Sequence, residues 1–255
     1  MRNQKYNPTR IRRSVSRRFK ELVKGPSWHF ENEVYIESRR TQLAVLFSGI
    51  IPQSFEGKSV LEIGCGHGHL GAELEKLGAT VVSVDGREGN IHQLRKKFPN
   101  REAHVCDACS PELEQYGPVD IVFAFGLLYH LPKPVEFLRA CSKLADILLL
   151  ETAVVDAKEP EIVWMKDGKF YDQSIHQRGC RPSPSWVEEQ LSSNGYQHIV
   201  DLCVPGKNSE GVKAPAYLLP IEGTGAGRRF GDPGVRRIWA AAKTEKQLVD
   251  GRILL

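Results

Sequence analysis

Glycines cluster in the stretch VLEIGCGHGHLG, residues 60–71, at a spacing typical of a loop that lies against a nucleotide cofactor. Dinucleotide-binding loops follow a strand directly and have the pattern G-x-G-x-x-G, which Gly66, Gly68 and Gly71 match. The apolar run before the loop ends at Ile63, however, so the first glycine of the turn is Gly64 and the loop has the pattern G-x-G-x-G. The match to the dinucleotide pattern therefore begins two residues too late.

Three carboxylates accompany this loop. Glu62 comes just before it, where it would repel a pyrophosphate and would suit a cationic group such as an amine or a sulfonium. Asp85 ends the next predicted strand, and a carboxylate at that place can accept both hydroxyls of a ribose. Asp107 follows the third predicted strand, within reach of the exocyclic amine of an adenine. Ribose recognition is common to both cofactor classes, so it is Glu62 that favours a cationic cofactor over a dinucleotide.

The candidates for proton transfer lie after the later strands. His130 follows the fourth predicted strand, at the edge of the sheet where substrates bind in α/β proteins, and an imidazole there could act as a base. Alternatively, it only closes the turn before Pro132. Tyr129 is a further candidate, as are Tyr171 and His176 in an insert after the fifth strand. That insert is predicted to be either a lid over the site or an ordinary surface loop.

Strands and helices alternate along the centre of the chain, which predicts a doubly wound α/β fold with a parallel sheet covered on both faces. The fourth and fifth strands are continuously apolar, as strands buried on both faces should be. The predicted strands are residues 59–64, 80–85, 102–106, 119–126 and 146–152. The helices between them are residues 68–77, 88–98 and 134–144.

Further elements are predicted on either side of this centre. Residues 31–50 form a helix, and the stretch SPSWVEEQLSSNGY forms another, with Ser183 or Ser185 as its N-cap. The stretch QHIVDLCV follows as a strand, and residues 235–243 form the last strand. Between these two strands, the Gly- and Pro-rich residues 205–234 are predicted to be a long surface loop.

These segments resemble the motifs of the class I S-adenosylmethionine-dependent methyltransferases. VLEIGCGHG is similar to their first motif, VVSVDGRE to the acidic second motif, CDA to the adenine-contacting motif and VDIVFAFGLLYHLPKP to the fourth. The LLYHL variant is common in small-molecule methyltransferases and in some relatives that modify the wobble uridine of tRNA. The resemblance covers roughly residues 59–155, and it is specific for the cofactor but not for the acceptor.

The resemblance implies S-adenosyl-L-methionine as cofactor and a Rossmann-like, seven-stranded, mostly parallel sheet with an antiparallel last strand. The methionyl end of the cofactor would lie over the glycine loop, the ribose would bind Asp85, and the adenine would lie near Asp107. Gly126 and Leu127 would wall the methyl-donor side. The implied cofactor-binding residues are Glu62, Gly64, Cys65, Gly66, Gly68, Asp85, Gly86, Arg87, Asp107, Ala108, Gly126 and Leu127.

Histidines and arginines near this loop have less specific roles. We expect His67 and His69 to be partly exposed and only to line the site. In the helix that precedes the loop, Arg39 or Arg40 could pair with the cofactor carboxylate, or both could lie on a solvated face.

The chain divides into a basic N-terminal arm, an N-terminal helical extension and one methyltransferase domain. Residues 1–24 hold nine basic residues and one acid, whereas the whole chain has a net charge of +4, so the rest of the chain is mildly acidic. The arm could pack as an amphipathic helix, contact RNA or an anionic membrane, or serve as a transit peptide. The predicted boundaries are 1–30 for the arm and 31–255 for the domain, with a cofactor half (55–155), an insert (156–182) and a C-terminal helix with closing strands (183–255).

Cysteine usage and hydropathy predict a cytoplasmic protein. No apolar run has the length of about 20 residues that a membrane span needs, and no secretory signal is recognised. Six scattered cysteines suggest reduced thiols. His104, Cys106 and Cys109 form the pattern H-x-C-x-x-C, but a structural zinc site usually needs four ligands in paired spacing. We therefore expect no metal.

The leading hypothesis is a methyltransferase that acts on an oxygen or nitrogen of a small molecule, with His130, Tyr129 and His176 as candidate catalytic residues. The alternatives are a tRNA-modifying methyltransferase that uses residues 1–24 to bind RNA, and a non-catalytic cofactor-binding partner subunit. The absence of an NPPY-like signature after the fourth strand argues against methylation of a nucleobase amine. The acceptor and the oligomeric state stay open.

Overall fold

The structure is a computed structural model that describes residues 33–51, 55–155, 157–166, 174–203, 235–249 and 252–254. The basic arm, the predicted loop 205–234 and the candidate Tyr171 lie outside these described residues. Five α-helices are present in the described part of the chain: α1 (Glu33–Gly49), α2 (His69–Lys76), α3 (Glu88–Lys97), α4 (Pro134–Leu144) and α5 (Pro184–Ser193).

Twelve strands are present in the same residues. They are β1 (Ile50–Ile51), β2 (Ser59–Ile63), β3 (Thr80–Asp85), β4 (Glu102–Val105), β5 (Ile121–Phe125), β6 (Ile147–Val154), β7 (Ile162–Lys166), β8 (Arg178–Pro182), β9 (His198–Asp201), β10 (Val235–Ala242), β11 (Leu248–Val249) and β12 (Arg252–Leu254).

Seven of these strands form the main sheet, in the order β4-β3-β2-β5-β6-β10-β9. The first five pair in parallel, whereas β10 is antiparallel to both of its neighbours. Six strands therefore run in the same direction, and β10, the last of the seven along the chain, runs in the opposite direction. This arrangement confirms the predicted fold class, including the pairing of the two closing strands.

Helices cover both faces of this sheet. Alternate residues of β5 enter different apolar clusters, because successive side chains of a strand point to opposite faces. Val122 packs in the cluster that holds α4 and α5, through residues such as Phe137 and Leu191. Phe123 packs in the cluster that holds α1 and α2, through residues such as Leu46. The main sheet is thus buried on both sides, which explains why its central strands are continuously apolar.

The insert after β6 differs from the prediction. Residues of β7 and β8 form a two-stranded antiparallel ribbon, with Trp164 opposite Cys180. The sequence predicted a lid or a surface loop for this region, and neither alternative included strands. Cys180 is nevertheless fully buried, and the ribbon packs through β8 against the 3-10 helix Leu128–His130.

A small three-stranded sheet joins the first and last described strands. β1 pairs in parallel with β12, and β12 pairs antiparallel with β11. These short strands were not predicted. Among the described residues, no helix combines the length and the apolar character needed to cross a membrane.

Candidate functional site

The candidate site lies at the carboxyl ends of β2 and β5, where the strand order of the sheet reverses. Ligands of open α/β sheets bind at this point. The loop after β2 begins with Gly64, and the loop after β5 holds Gly126, Leu127 and the 3-10 helix Leu128–His130. A Cβ atom on Gly64 would lie 3.0 Å from Cδ1 of Leu127, so the two predicted binding loops touch.

The glycine loop needs glycine for its backbone conformation. Gly64, Gly66 and Gly68 have φ values of 73°, 56° and 76°, in the left-handed region that other residues rarely adopt. Gly68 precedes α2, and a Cβ atom there would lie only 2.7 Å from Cδ1 of Leu94. The G-x-G-x-G pattern therefore encodes a tight turn from β2 into α2.

Asp85 connects the end of β3 to this loop. Its Oδ2 accepts a hydrogen bond of 2.9 Å from the Gly66 amide, and its Oδ1 accepts from the Arg87 amide at 2.8 Å and from Asn90 Nδ2 at 3.1 Å. Burial raises the pKa of Asp85 above its ordinary value, although these hydrogen bonds oppose the change. Because a carboxylate accepts about four hydrogen bonds, a bound ribose would have to share or displace these donors.

The Glu62 carboxylate makes its contacts with groups of the protein itself. Its side chain is buried, accepts from the Gly71 amide at 2.9 Å and from Ser83 Oγ at 2.7 Å, and lies 4.0 Å from the Arg101 guanidinium. Burial raises its pKa, against the attraction of Arg101 and the hydrogen bonds. Glu62 thus holds the first turn of α2 to β3, while a contact with a cationic ligand stays a prediction.

The turn after β4 meets the insert. Asp107 Oδ2 lies 2.8 Å from His176 Nε2, and its Oδ1 accepts from the Cys109 amide at 2.9 Å. A Cβ atom on Gly86 would lie 2.9 Å from Cδ1 of Ile175, so the insert also covers the end of β3. The structure therefore places the catalytic candidate His176 beside the predicted adenine contacts.

Tyr129 lies in a cationic environment on the other side of the site. Its buried hydroxyl accepts a hydrogen bond of 2.8 Å from Arg236 Nη2. The guanidinium carbons of Arg236 and Arg181 each lie 4.8 Å from the centre of its ring, and the His130 ring lies 4.0 Å away. Burial alone would raise the pKa of Tyr129, but Arg236, and then His130, lower it to about 7.

A buried carboxylate holds these arginines in place. Glu151 of β6 accepts from Arg236 Nη1 at 2.7 Å and from Arg39 Nη1 at 3.0 Å. Burial would raise the pKa of Glu151, but the two guanidiniums reverse this effect and lower it. The group of Arg39, Glu151, Arg236 and a neutral Tyr129 therefore carries one excess positive charge.

Arg39 and Arg40 differ in their placement, which the sequence could not decide. Arg39 is buried, donates to the Phe125 carbonyl at 2.9 Å and lines a pocket with Glu62, Gly64 and Cys65. Arg40 is exposed and lies 3.5 Å from Glu73 on the surface. Of the two, Arg39 is thus the one that lies at the methionyl end of the predicted cofactor site.

The other predicted residues also lie around this edge of the sheet. His67 is buried, although we expected it to be partly exposed, while His69 is half-buried, and both line the pocket. Ala108 is buried beside Asp107. Sequence reasoning missed Arg181, Arg236 and Glu151. Only Glu151 had a signal, because an acid within a continuously apolar strand must have a buried partner.

Comparison with known proteins agrees with this architecture. Residues 61–146 match the family model described as "Methyltransferase domain". The ubiquinone biosynthesis O-methyltransferase of Caulobacter sp. (strain K31) is 38% identical over 94 residues, which is 35% of this chain and 37% of that protein. The tRNA U34 carboxymethyltransferase of Idiomarina loihiensis is 32% identical over 153 residues, which is 56% of this chain and 46% of that protein. The chain thus spans less than half the length of these curated relatives.

Solved structures share the fold at low sequence identity. The 1,6-didemethyltoxoflavin-N1-methyltransferase of Burkholderia thailandensis, with S-adenosylhomocysteine bound, superposes with a TM-score of 0.56 and 16% identity, covering 96% of this chain and 94% of that one. The magnesium protoporphyrin IX methyltransferase of Synechocystis PCC 6803 gives a TM-score of 0.55 and 16% identity, covering 91% and 99%. At this identity the likeness establishes the fold alone.

Proposed function

Because this chain contains a class I S-adenosylmethionine-dependent methyltransferase domain, we propose that it transfers a methyl group from S-adenosylmethionine to an oxygen or nitrogen of a small molecule. The observation that carries the proposal is the glycine loop after β2, whose glycines have positive φ values and which lies where the strand order of the sheet reverses. The Gly66 amide of this loop donates a hydrogen bond to Asp85. The names of several matched relatives, which are ubiquinone biosynthesis O-methyltransferases, support the small-molecule acceptor.

In this proposal the cofactor follows the edge of the sheet from β5 to β4. Its methionyl end lies over Gly64 to Gly68, where Arg39 supplies a buried cation for the carboxylate. Asp85 takes the ribose, and the adenine lies near Gly86, Arg87, Asp107 and Ala108. Bound there, the cofactor supplies an activated methyl group on a sulfonium. Gly126 and Leu127 wall the side from which the acceptor approaches.

The acceptor side needs alignment more than acid–base chemistry, since the sulfonium is already an excellent leaving group. A base is required only if the accepting atom carries a proton at neutral pH. His130, half-buried at the end of the 3-10 helix that follows β5, is the proposed base. Tyr129 is a second candidate, because its lowered pKa of about 7 makes the phenolate accessible near neutral pH. A carboxylate acceptor would use neither residue as a base.

Two measurements test the function. Calorimetry should detect binding of S-adenosylhomocysteine and not of NAD, whereas tight binding of NAD alone would contradict the cofactor assignment. A transfer assay with methyl-labelled cofactor against a cell extract, separated into small molecules, RNA and protein, should place the label in the small-molecule fraction. The variant Asp85→Ala serves as the control that lacks the proposed ribose contact. Cofactor binding without transfer to any fraction would instead favour a non-catalytic partner subunit.

An RNA acceptor is the second candidate function. Its support is the similarity to a tRNA U34 carboxymethyltransferase over 153 residues and the nine basic residues within residues 1–24. An enzyme that binds RNA through phosphate contacts should lose affinity steeply as the salt concentration rises. Label in the RNA fraction, together with a steep salt dependence that disappears when residues 1–24 are removed, would favour this function.

A cytoplasmic location is part of the proposal. Its support is the scattered spacing of the six cysteines, which form no dense disulfide framework in the sequence.

A further inference from the structure

Three side chains of metal-ligand type meet where the insert touches the turn after β4. They are Asp107, Cys109 and His176, and one potential ligand atom of each lies within 4.8 Å of the other two. The closest pair, Asp107 Oδ2 and His176 Nε2, is 2.8 Å apart. A carboxylate oxygen, a sulfur and an imidazole nitrogen are thus gathered from two segments that are far apart in the chain.

Both segments are fixed before any ion binds. The turn that carries His176 is held by Ser174, whose Oγ donates to the Arg178 carbonyl at 2.9 Å and accepts from the His176 amide at 3.2 Å. Gln177 completes this turn with a φ of 54°, a conformation that a residue other than glycine rarely adopts. On the other side, the Cys109 amide holds Oδ1 of Asp107, which leaves Oδ2 directed at His176.

We propose that Asp107, Cys109 and His176 bind a divalent transition metal ion, of which Zn²⁺ is the best match, and that the ion fastens the insert to the turn after β4. Zinc is bound at about 2.0–2.3 Å by the same three ligand types, and sites with three protein ligands take water in the fourth position. Mg²⁺ and Ca²⁺ select oxygen ligands, so the sulfur and nitrogen donors favour zinc. This site departs from the expectation of no metal drawn from the sequence.

The site is not the H-x-C-x-x-C pattern of the sequence. His104 lies 2.9 Å from Glu102 on the surface and packs against Tyr116, while Cys106 Sγ donates to the Asp107 carbonyl. Of that pattern only Cys109 belongs to the cluster. The partner that completes the site, His176, follows it by 67 residues, so no local spacing could reveal it.

The chain offers a close control for Cys109. The Cys109 amide donates to Oδ1 of Asp107 at 2.9 Å, and the Cys203 amide donates to Oδ1 of Asp201 at 2.8 Å. Both cysteines are half-buried. Cys203 thus reproduces the local Asp-x-Cys geometry outside the cluster. The side chain of His104 is about as exposed to solvent as that of His176, so His104 is the matching control for the histidine ligand.

The test is a titration of the full chain, without purification tag or cofactor, with Zn²⁺ against a competing chelator. Wild-type protein should bind one ion. Cys109→Ser and His176→Gln should each weaken binding by about 100-fold or more, since even loss of an outer-shell partner costs 10–100-fold. Cys203→Ser and His104→Gln should bind as the wild type does. With Co²⁺ as probe, the absorption of a thiolate-bound ion should appear in the wild type and be absent from Cys109→Ser.

Two outcomes would overturn the site: wild-type protein that binds Zn²⁺ no better than the Cys109→Ser/His176→Gln double variant, or control variants that lose as much affinity as the cluster variants. Because the titration contains no cofactor and measures no transfer, its result is independent of the proposed methyltransferase activity. Failure of the metal site would leave that activity standing, and failure of the activity would leave the site.

Discussion

Tyr129 should ionise near neutral pH only while Arg236 donates to its hydroxyl. The pKa of Tyr129 is lowered from 10.0 to about 7, although burial acts in the opposite direction. A difference of about three pKa units corresponds to about 4 kcal/mol in favour of the phenolate, so the combined attraction of Arg236, His130 and Arg39 exceeds this value. Arg236→Met removes the largest of these attractions and should raise the pKa of Tyr129, since burial and Glu151 then face weaker opposition.

The assay is a pH titration of tyrosinate absorbance in the ultraviolet. Tyr129 is one of seven tyrosines, so about one seventh of the total change should occur near pH 7. Tyr129→Phe should lose this early phase. Tyr116→Phe should keep it, because partial burial raises the pKa of Tyr116.

Folding of the variants needs its own control. Removing one partner of a buried ion pair costs about 3–5 kcal/mol, so Arg236→Met must be checked by circular dichroism. Arg236→Lys keeps the charge but not the forked geometry of the guanidinium, and it should retain part of the early phase. A wild-type protein without tyrosinate signal below about pH 9 would refute the reasoning, as would an Arg236→Met variant that folds and keeps the early phase.

The same ionisation has a signature in stability. Between about pH 7 and 10 the folded protein has released the Tyr129 proton, whereas the unfolded chain still holds it. The free energy of unfolding should therefore rise with pH in this window by about 1.4 kcal/mol per pH unit from this group. The contribution is complete above the unfolded pKa and is lost as the pH falls through about 7. In denaturant titrations, Tyr129→Phe should lack this rise.

Three further substitutions, with a fourth as a control, test the site and its scaffold. Asp85→Ala should weaken the binding of S-adenosylhomocysteine, measured by calorimetry, by ~2–4 kcal/mol, since hydrogen bonds to a charged group are worth about 1.5–3 kcal/mol each. Binding with wild-type affinity would show that Asp85 does not contact the cofactor. If the accepting atom carries a proton, His130→Ala should lower turnover about 10²–10³-fold, as expected for loss of a general base, with unchanged cofactor affinity. Parental turnover across the neutral pH range would leave it a turn-closing residue. Gly71→Ala should lower the free energy of unfolding by about 1–3 kcal/mol, because its Cβ would lie 2.5 Å from Glu62 Oε2. Gly89→Ala in α3, whose Cβ meets nothing within 4 Å, should be neutral or stabilising, and equal destabilisation of both variants would contradict the packing around Glu62.

Local sequence signals predicted most of the fold. The strand predictions for 59–64 and 80–85 match β2 and β3 within one residue, and α4 matches its predicted bounds. These elements have strong local signals: apolar runs that end in glycine or aspartate, and a proline in the first turn of a helix. Ser183, one of two predicted N-caps, accepts from the Trp186 amide.

The ribbon β7–β8 could not be predicted in the same way. It is stabilised by contacts distant in sequence, such as Cys180 Sγ with the Leu128 carbonyl. The placement of His176 has the same cause. As part of an insert after β6 it was a candidate for the acceptor side, but the turn before β8 directs it to Asp107. The sequence cannot predict a contact between residues that are tens of positions apart unless the positions of both elements in the fold are already known.

Glu151 shows how far the charges of the site depend on each other. Arg39 reaches this carboxylate from α1 and also donates to the carbonyl of Phe125, in the wall of the pocket proposed to hold the cofactor. Arg236 reaches it from β10 and donates to the Tyr129 hydroxyl. The protein interior weakens charge–charge interactions far less than water does. An anion that approaches Arg39 should therefore also change the net positive charge that stabilises the Tyr129 phenolate. In the proposed function, an anion bound beside Arg39 should therefore change the protonation state of Tyr129 through the buried carboxylate of Glu151.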